Sequence, residues 1–252
     1  DFEEQYFDKV VHYMLESFKA GITPNPDVMC NQEIKFKLFL DTCLANGADM
    51  IATGHYASTS DGRLLRAKDD NKDQTYFLYR ITSEALSRTL FPLGDYTKPE
   101  VRKLAADFNL PTATRKESMG ICFVGKVGIK DFLKEYVSDM QPGSIIDQNG
   151  AVIGEHEGAI FYTIGQRSGL GVGGGLPFYV TGKNMEKNEV YVTSDIADER
   201  LWTDQIHLVS MHWIGAVAKP AYIRNRHRAP LVKIEELIVK EDNQTVVKLS
   251  EK

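Results

Sequence analysis

Apolar residues recur at helical spacing at the start of the chain. Phe7, Val11, Met14, Leu15 and Phe18 predict an amphipathic helix over residues 5–18, which Gly21 stops. Two prolines then hold Ile22-Thr-Pro-Asn-Pro-Asp27 in extended or turn geometry. A second helical stripe runs from Asn31 to Asn46 with Ile34, Leu38 and Phe39 among its apolar positions, and Asp49–Thr53 reads as a short strand before Gly54-His55-Tyr56. Helix, strand and glycine turn in that order suggest a parallel α/β sheet. A helix is expected over Thr75–Arg80. Thr97-x-x-Glu100 is a capping box ahead of Val101, Leu104, Ala105 and Phe108.

A further stripe, Ile129, Phe132, Leu133, Tyr136 and Val137, ends at Pro142-Gly143. The period then changes. Ser144–Ile146, Ala159–Thr163, Phe178–Thr181, Val190–Thr193 and Leu231–Glu235 are short β-prone runs between glycine and Asn-Gly turns. The fold expected is α/β in residues 1–126, a small mostly-β domain in 127–200 and part of a β-barrel in 201–252.

Composition adds little: 252 residues, 42% hydrophobic and 26% charged, is ordinary for a globular chain. No apolar run approaches the ~18 residues needed for a membrane span, so no membrane association is expected. Three scattered cysteines make no secreted disulfide framework and point to a reducing cytoplasm. The net charge of −5 speaks against nucleic acid, but its distribution is uneven. Residues 1–57 hold nine acids against four lysines, whereas Lys219–Lys233 holds five basic residues, His227 and no acid. Arg224-Asn-Arg-His-Arg228 fits either a phosphate-contacting stripe or a solvated strand face.

Cys30 precedes Asn31, a good N-cap residue, so its thiol is expected at the positive end of a helix, with Asp27 nearby to handle a proton. The alternative is a cysteine packed behind a turn. Cys122, among apolar residues between Gly120 and Gly125, reads locally as a buried strand cysteine, and Cys43 as a core thiol. No Cys-x-x-Cys or His-x-x-x-His pair anchors a zinc site, so no metal is expected to be bound by these residues. Gly169-x-Gly171-x-x-Gly174 lies among strands with no helix after it and fails as a dinucleotide fingerprint. Asp69–Gln74 reads as a solvated turn or as a helix start that meets phosphate.

Six segments occur in a specific order: Thr23-Pro-Asn-Pro-Asp-Val-Met-Cys-Asn31, Ile51-Ala-Thr-Gly-His-Tyr56, Asn71-Lys-Asp-Gln-Thr-Tyr-Phe77, Phe91-Pro-Leu-Gly94, Gly120-Ile-Cys-Phe123 and Tyr162-Thr-Ile-Gly-Gln-Arg167. Together they resemble the bacterial-type tRNA-specific 2-thiouridylases, ATP-dependent sulfurtransferases of the PP-loop superfamily. The likeness covers residues 20–183 and weakens beyond. It implies ATP (with Mg) as the activating cofactor, tRNA as substrate, and persulfide sulfur from a donor protein. Cys122 would carry the persulfide, Cys30 would be the second catalytic cysteine, and the two would close a transient disulfide. Asp27 would sit beside the target uridine in a pocket shaped with Asn25 and Pro26. Gly54 would contact nucleotide and His55 would lie beside the RNA. Lys72, Asp73 and Gln74 would contact tRNA, as would Arg224, Asn225 and Arg226.

The family's phosphate-cradling Ser-Gly-Gly-x-Asp-Ser-Ser loop occurs nowhere in this sequence. The likeness is expected to begin partway into the family's first domain and to stop before its last strands, so this polypeptide alone is expected not to thiolate tRNA. Two other classes fit parts of the chain: a thiol-disulfide oxidoreductase using Cys30 and Cys122, and an RNA-binding module without chemistry.

Overall fold

The computed structural model describes residues 1–115, 129–137, 141–173, 175, 177–215, 220–240 and 244–251. Cys122 and the segment around it lie outside the described residues. The architecture is an α/β first part followed by β-rich parts built on two four-stranded sheets.

Helix α1 runs through Glu3–Tyr6, Phe7–Val11 and His12–Lys19, the middle stretch in π winding. Its buried stripe of Val11, Met14, Leu15 and Phe18 meets Leu133 and Ile160 from later in the chain. Gly21 ends it at φ 75°, the left-handed conformation that glycine adopts without strain. A Cβ at Gly21 would lie 2.8 Å from the Met185 side chain, so the missing side chain admits that close approach.

Helix α2 comprises Pro26–Met29, Cys30–Phe39 (π-wound) and Leu40–Ala45. It begins five residues earlier than the apolar stripe predicts. Asn25 is extended (φ −115°, ψ 93°), its side chain accepts from the Val28 N–H at 3.4 Å, and Pro26 follows at the first helical position. Asparagine cap plus proline is a helix start, and the two prolines had disguised it as a turn.

Strands β1 (Ile51–Ala52) and β4 (Thr89–Leu90) pair in parallel, and β2 (Ser58–Ser60) and β3 (Arg63–Leu65) form a hairpin. Around them Phe36, Leu40, Ile51, Leu78, Leu86 and Phe91 share one core. The helix expected over Thr75–Arg80 is only a 3-10 turn, Thr75–Phe77. The Asp73 carboxylate holds the Thr75 N–H and hydroxyl, and the chain then steps through i→i+3 bonds (Leu78 N–H to Thr75 C=O, 3.0 Å; Ile81 N–H to Leu78 C=O, 3.1 Å). Helix α3 is Ser83–Ser87 and α4 is Lys98–Asp107. The capping box of α4 forms, with the Glu100 carboxylate accepting from the Thr97 N–H at 2.6 Å.

Helix α5 (Ile129–Tyr136) packs on α1 and leads to the first four-stranded sheet, order β6-β5-β8-β7. The strands are β5 (Gly143–Ile146), β6 (Val152–His156), β7 (Tyr179–Asn184) and β8 (Glu189–Thr193); β5 and β8 are parallel, the other pairs antiparallel. Ala159–Thr163, expected as a strand, instead holds the 3-10 turn Ala159–Phe161, closed by Phe161 N–H and Tyr162 N–H bonding three residues back. The second sheet, order β10-β11-β12-β9, uses β9 (Gln205–Leu208), β10 (Tyr222–Ile223), β11 (Val232–Val239) and β12 (Thr245–Leu249). Among the described residues no helix is long and apolar enough to cross a membrane.

Candidate functional site

The start of α2 positions the first candidates. Asn25 caps the helix, Pro26 occupies its first position and Asp27 lies in its first turn. Cys30 is one turn further in, not at the cap. Its own N–H already bonds to the Pro26 carbonyl, so the exposed-amide argument for a reactive thiol does not apply. The thiol is 0% exposed, covered by Val10 and Ile34. Asp27 and Cys30, three residues apart, share a helix face. Chemistry at this sulfur requires its cover to move. Cys43 is partly buried against the α/β core, as a packed thiol should be.

Gly54 and His55 follow β1, at the carboxyl edge of the parallel pair, where α/β folds receive nucleotides. A Cβ at Gly54 would meet only Leu93, at 3.9 Å, so the described chain leaves space over this exposed backbone. His55 lies against Phe36 of α2 (ring centroids 5.7 Å) and edge-on to Phe91 (6.2 Å), with Nδ1 2.9 Å from the Thr53 hydroxyl. Burial, reinforced by the Lys35 charge, lowers its pKa to about 4, so the imidazole is neutral at pH 7.

The Asp69–Gln74 turn is more buried than its charges suggest. Asp69 accepts from the N–H groups of Asn71 and Lys72 with one oxygen and of Lys98 with the other (2.8 Å), and the Lys98 bond leads in holding its carboxyl below the usual range. Asp73 is 3% exposed and accepts from Ala67 N–H (2.9 Å), Thr75 N–H (3.3 Å) and Thr75 Oγ1 (2.6 Å). Gln74 Oε1 accepts from Tyr56 N–H at 2.9 Å. The Asp73 and Gln74 side chains are therefore engaged within the fold and shape the turn; Lys72 is half-buried beside them.

Residues 224–228 form an arm laid across this turn. Arg228 donates to the Asn71 carbonyl (3.0 Å), the Tyr76 hydroxyl to the Asn225 carbonyl (3.1 Å), and the His227 ring packs on Phe77 at 4.7 Å, tilted by 45°. Burial, with the Arg228 and Arg224 charges, pushes the His227 pKa down, and Asp73 opposes this. On its other side Arg226 donates to the Ile164 carbonyl at 2.5 Å. Arg224 Nε and His227 Nδ1 are buried with no hydrogen-bond partner among the described residues.

The fold thus brings the 71–77 turn and the 224–228 arm together, and joins both to the Thr163–Gln166 turn. That turn reaches back to α2: Thr163 and Thr23, two residues before Asn25, share a hydroxyl–hydroxyl bond of 2.8 Å. A cavity of about 240 Å³ opens beside them, lined by Phe18, Thr23, Leu133, Phe161, Tyr162 and Gln166 among others. Asn31, expected as an N-cap, instead lies buried inside α2, and Thr23, Thr163 and Phe77 were given no role of their own by the sequence. Their contacts span 46 to 150 residues, and no local pattern announces them. Among the described residues no cluster of three or more metal-ligating side chains occurs.

Residues 1–126 match the family model described as "tRNA methyl transferase HUP domain", and residues 130–194 match "tRNA methyl transferase PRC-barrel domain". The first match alone spans half the chain. The chain belongs to this family. Similar curated proteins include the tRNA-specific 2-thiouridylase MnmA of Bacillus cytotoxicus and that of Bacillus mycoides, each 50% identical over 224 residues. These alignments take in 87% of this chain and 60% of each relative, so the chain spans about 60% of the length of the curated relatives it matches. The family models and the relatives differ by name in the group transferred, methyl for the former and sulfur for the latter.

Proposed function

We propose that this chain is part of an enzyme that replaces the C2 oxygen of a tRNA wobble uridine with sulfur. The observation that carries the reading is spatial. On a chain half identical to 2-thiouridylases, the Asn25–Cys30 helix start, the Lys72–Gln74 turn and the Arg224–Arg226 arm are linked by one run of contacts, Thr23 to Thr163, Ile164 to Arg226 and Arg228 to Asn71. A uridine must leave its stack to be modified, and a junction between domains is where such a pocket forms. We place the domain divisions near residues 126 and 200 and the site of action in the reducing cytoplasm.

The roles follow from position. Asn25, Pro26 and Asp27 face the target base, and Asp27, in the first turn, handles a proton there. Lys72, Arg224 and Arg226 neutralise RNA phosphates, while Asn225, Asp73 and Gln74 fix the backbone they project from. His55, neutral, packs the Gly54 turn against α2 beside the RNA. Gly54, with open space over its backbone, would contact ATP (with Mg); the chain contains no Ser-Gly-Gly-x-Asp-Ser-Ser loop for the phosphates, and for that reason this polypeptide alone is expected not to thiolate. ATP supplies activation of the C2 oxygen as a leaving group. The terminal sulfur of a Cys122 persulfide, loaded by a donor protein, bonds to C2 as the C2–O bond breaks. Cys30 either frees that sulfur beforehand or attacks the remaining sulfur linkage afterwards. Both routes end in a Cys30–Cys122 disulfide that a cellular thiol reductant reopens.

The test uses a polypeptide spanning the full length of the relatives. Nucleoside mass spectrometry of incubated tRNA should show 2-thiouridine with the wild type, and none with Cys30→Ser or Cys122→Ser, while tRNA binding persists. Methylated uridine in place of 2-thiouridine, or full thiolation by either serine variant, overturns the reading.

A further inference from the structure

Asn31, the residue after Cys30, is 2% exposed and is the polar residue among the buried positions of α2. Its Nδ2 donates to the Phe77 carbonyl at 3.0 Å, while its Oδ1 is buried and accepts no hydrogen bond among the described residues. A half-satisfied buried amide costs stability that an apolar residue would not, so Asn31 at this position calls for another reason. Phe77, whose carbonyl it holds, packs its ring against the tilted His227 ring of the basic arm. The next residue repeats the connection. Gln32 pairs with Arg80, and Arg80 also donates to the Ser210 carbonyl at 3.4 Å, in the same C-terminal part of the chain. His212 meets the Ile81 carbonyl at 3.2 Å. Residues 71–81 are therefore held from both sides, by the cysteine helix on one face and the C-terminal part on the other.

We propose that Asn31 is a positioning residue for Cys30, and that through Phe77 and His227 it couples seating of the basic arm to the closure of the cover over the Cys30 thiol. The arm is the surface that takes the polyanion in the function proposed above, and the coupling's relevance to turnover rests on that reading. Its existence does not. A thiol at 0% exposure reacts with a small alkylating agent only when its cover opens, so the alkylation rate reports the opening directly.

The experiment follows iodoacetamide labelling of the Cys30 and Cys43 peptides by mass spectrometry, without tRNA or ATP. Asn31→Leu should speed Cys30 labelling about tenfold, the scale of one lost buried hydrogen bond. His227→Ala, at a residue outside the cluster that covers Cys30, should speed it about threefold, the scale of one ring contact, and His227→Phe should restore the wild-type rate. The double variant Asn31→Leu/His227→Ala should label no faster than Asn31→Leu alone, because the two act through one connection. Cys43 labelling should stay constant. Unchanged Cys30 labelling in His227→Ala, multiplying effects in the double variant, or equal acceleration at Cys43 overturns the coupling. Thiolation by the full-length protein is measured separately, so failure of the sulfur-transfer reading leaves these rates, and the coupling they measure, unaffected.

Discussion

The 69–77 turn and the 224–228 arm touch each other, yet they are built in opposite ways. The turn is organised by its own carboxylates: Asp69 and Asp73 accept six hydrogen bonds, five of them from backbone N–H groups and all but the Ala67 and Lys98 ones from within the turn, and Asp73 is buried to do so. The arm is held almost wholly by other parts of the chain, through Asn71, Tyr76, Phe77 and Ile164, and leaves Arg224 Nε and His227 Nδ1 without described partners. One region has its polar side chains paired before any ligand arrives. The other keeps polar groups in reserve. The difference teaches that a charged stretch in sequence can be a scaffold, and that a basic stretch beside it can be the part that responds.

The largest effect that tests this contrast is Asp73→Ala. It strips partners from three donors in a buried place and should cost about 3 kcal/mol or more, read as the urea midpoint. Next comes acid sensitivity centred on His55. Its folded pKa of about 4 lies below the ordinary 6.5, so the unfolded chain takes up the proton first as pH falls. Its contribution is intact above about pH 6.5 and drains away toward pH 4, on the order of 2–3 kcal/mol. His55→Gln should flatten the stability profile across that window; an unchanged slope would count against a buried neutral imidazole. Smallest in stability is Arg226→Ala, expected to cost under about 1 kcal/mol while lowering the salt slope of tRNA binding by about one. If the arm variant unfolds the protein more readily than Asp73→Ala does, the contrast between scaffold and responder is reversed.

The long helices were legible because their apolar stripes are local, and the Thr97–Glu100 box because capping is local too. The start of α2 was misread since two prolines suit a turn and a helix entrance equally, and only the Asn25 bond to Val28 decides between them. That shift of five residues moved Cys30 from a helix cap into a core. Asp73 looked solvated because its partner Ala67 N–H has no signature in the sequence. His227 on Phe77 joins positions 150 apart, a pairing no periodicity foretells. Cys122 lies outside the described residues, and its role is carried by motif order alone.

Gly21 lets the end of α1 and the first sheet meet closely by what it lacks. Met185, in the turn between β7 and β8, rests where a side chain at that position would stand, and the glycine holds φ 75° to make the room. The β7–β8 turn of the first sheet thereby touches the end of α1 through one side chain. A single methyl group there would force the Met185 side chain aside and hold a left-handed backbone that only glycine adopts without strain, at the end of the helix that leads into Thr23.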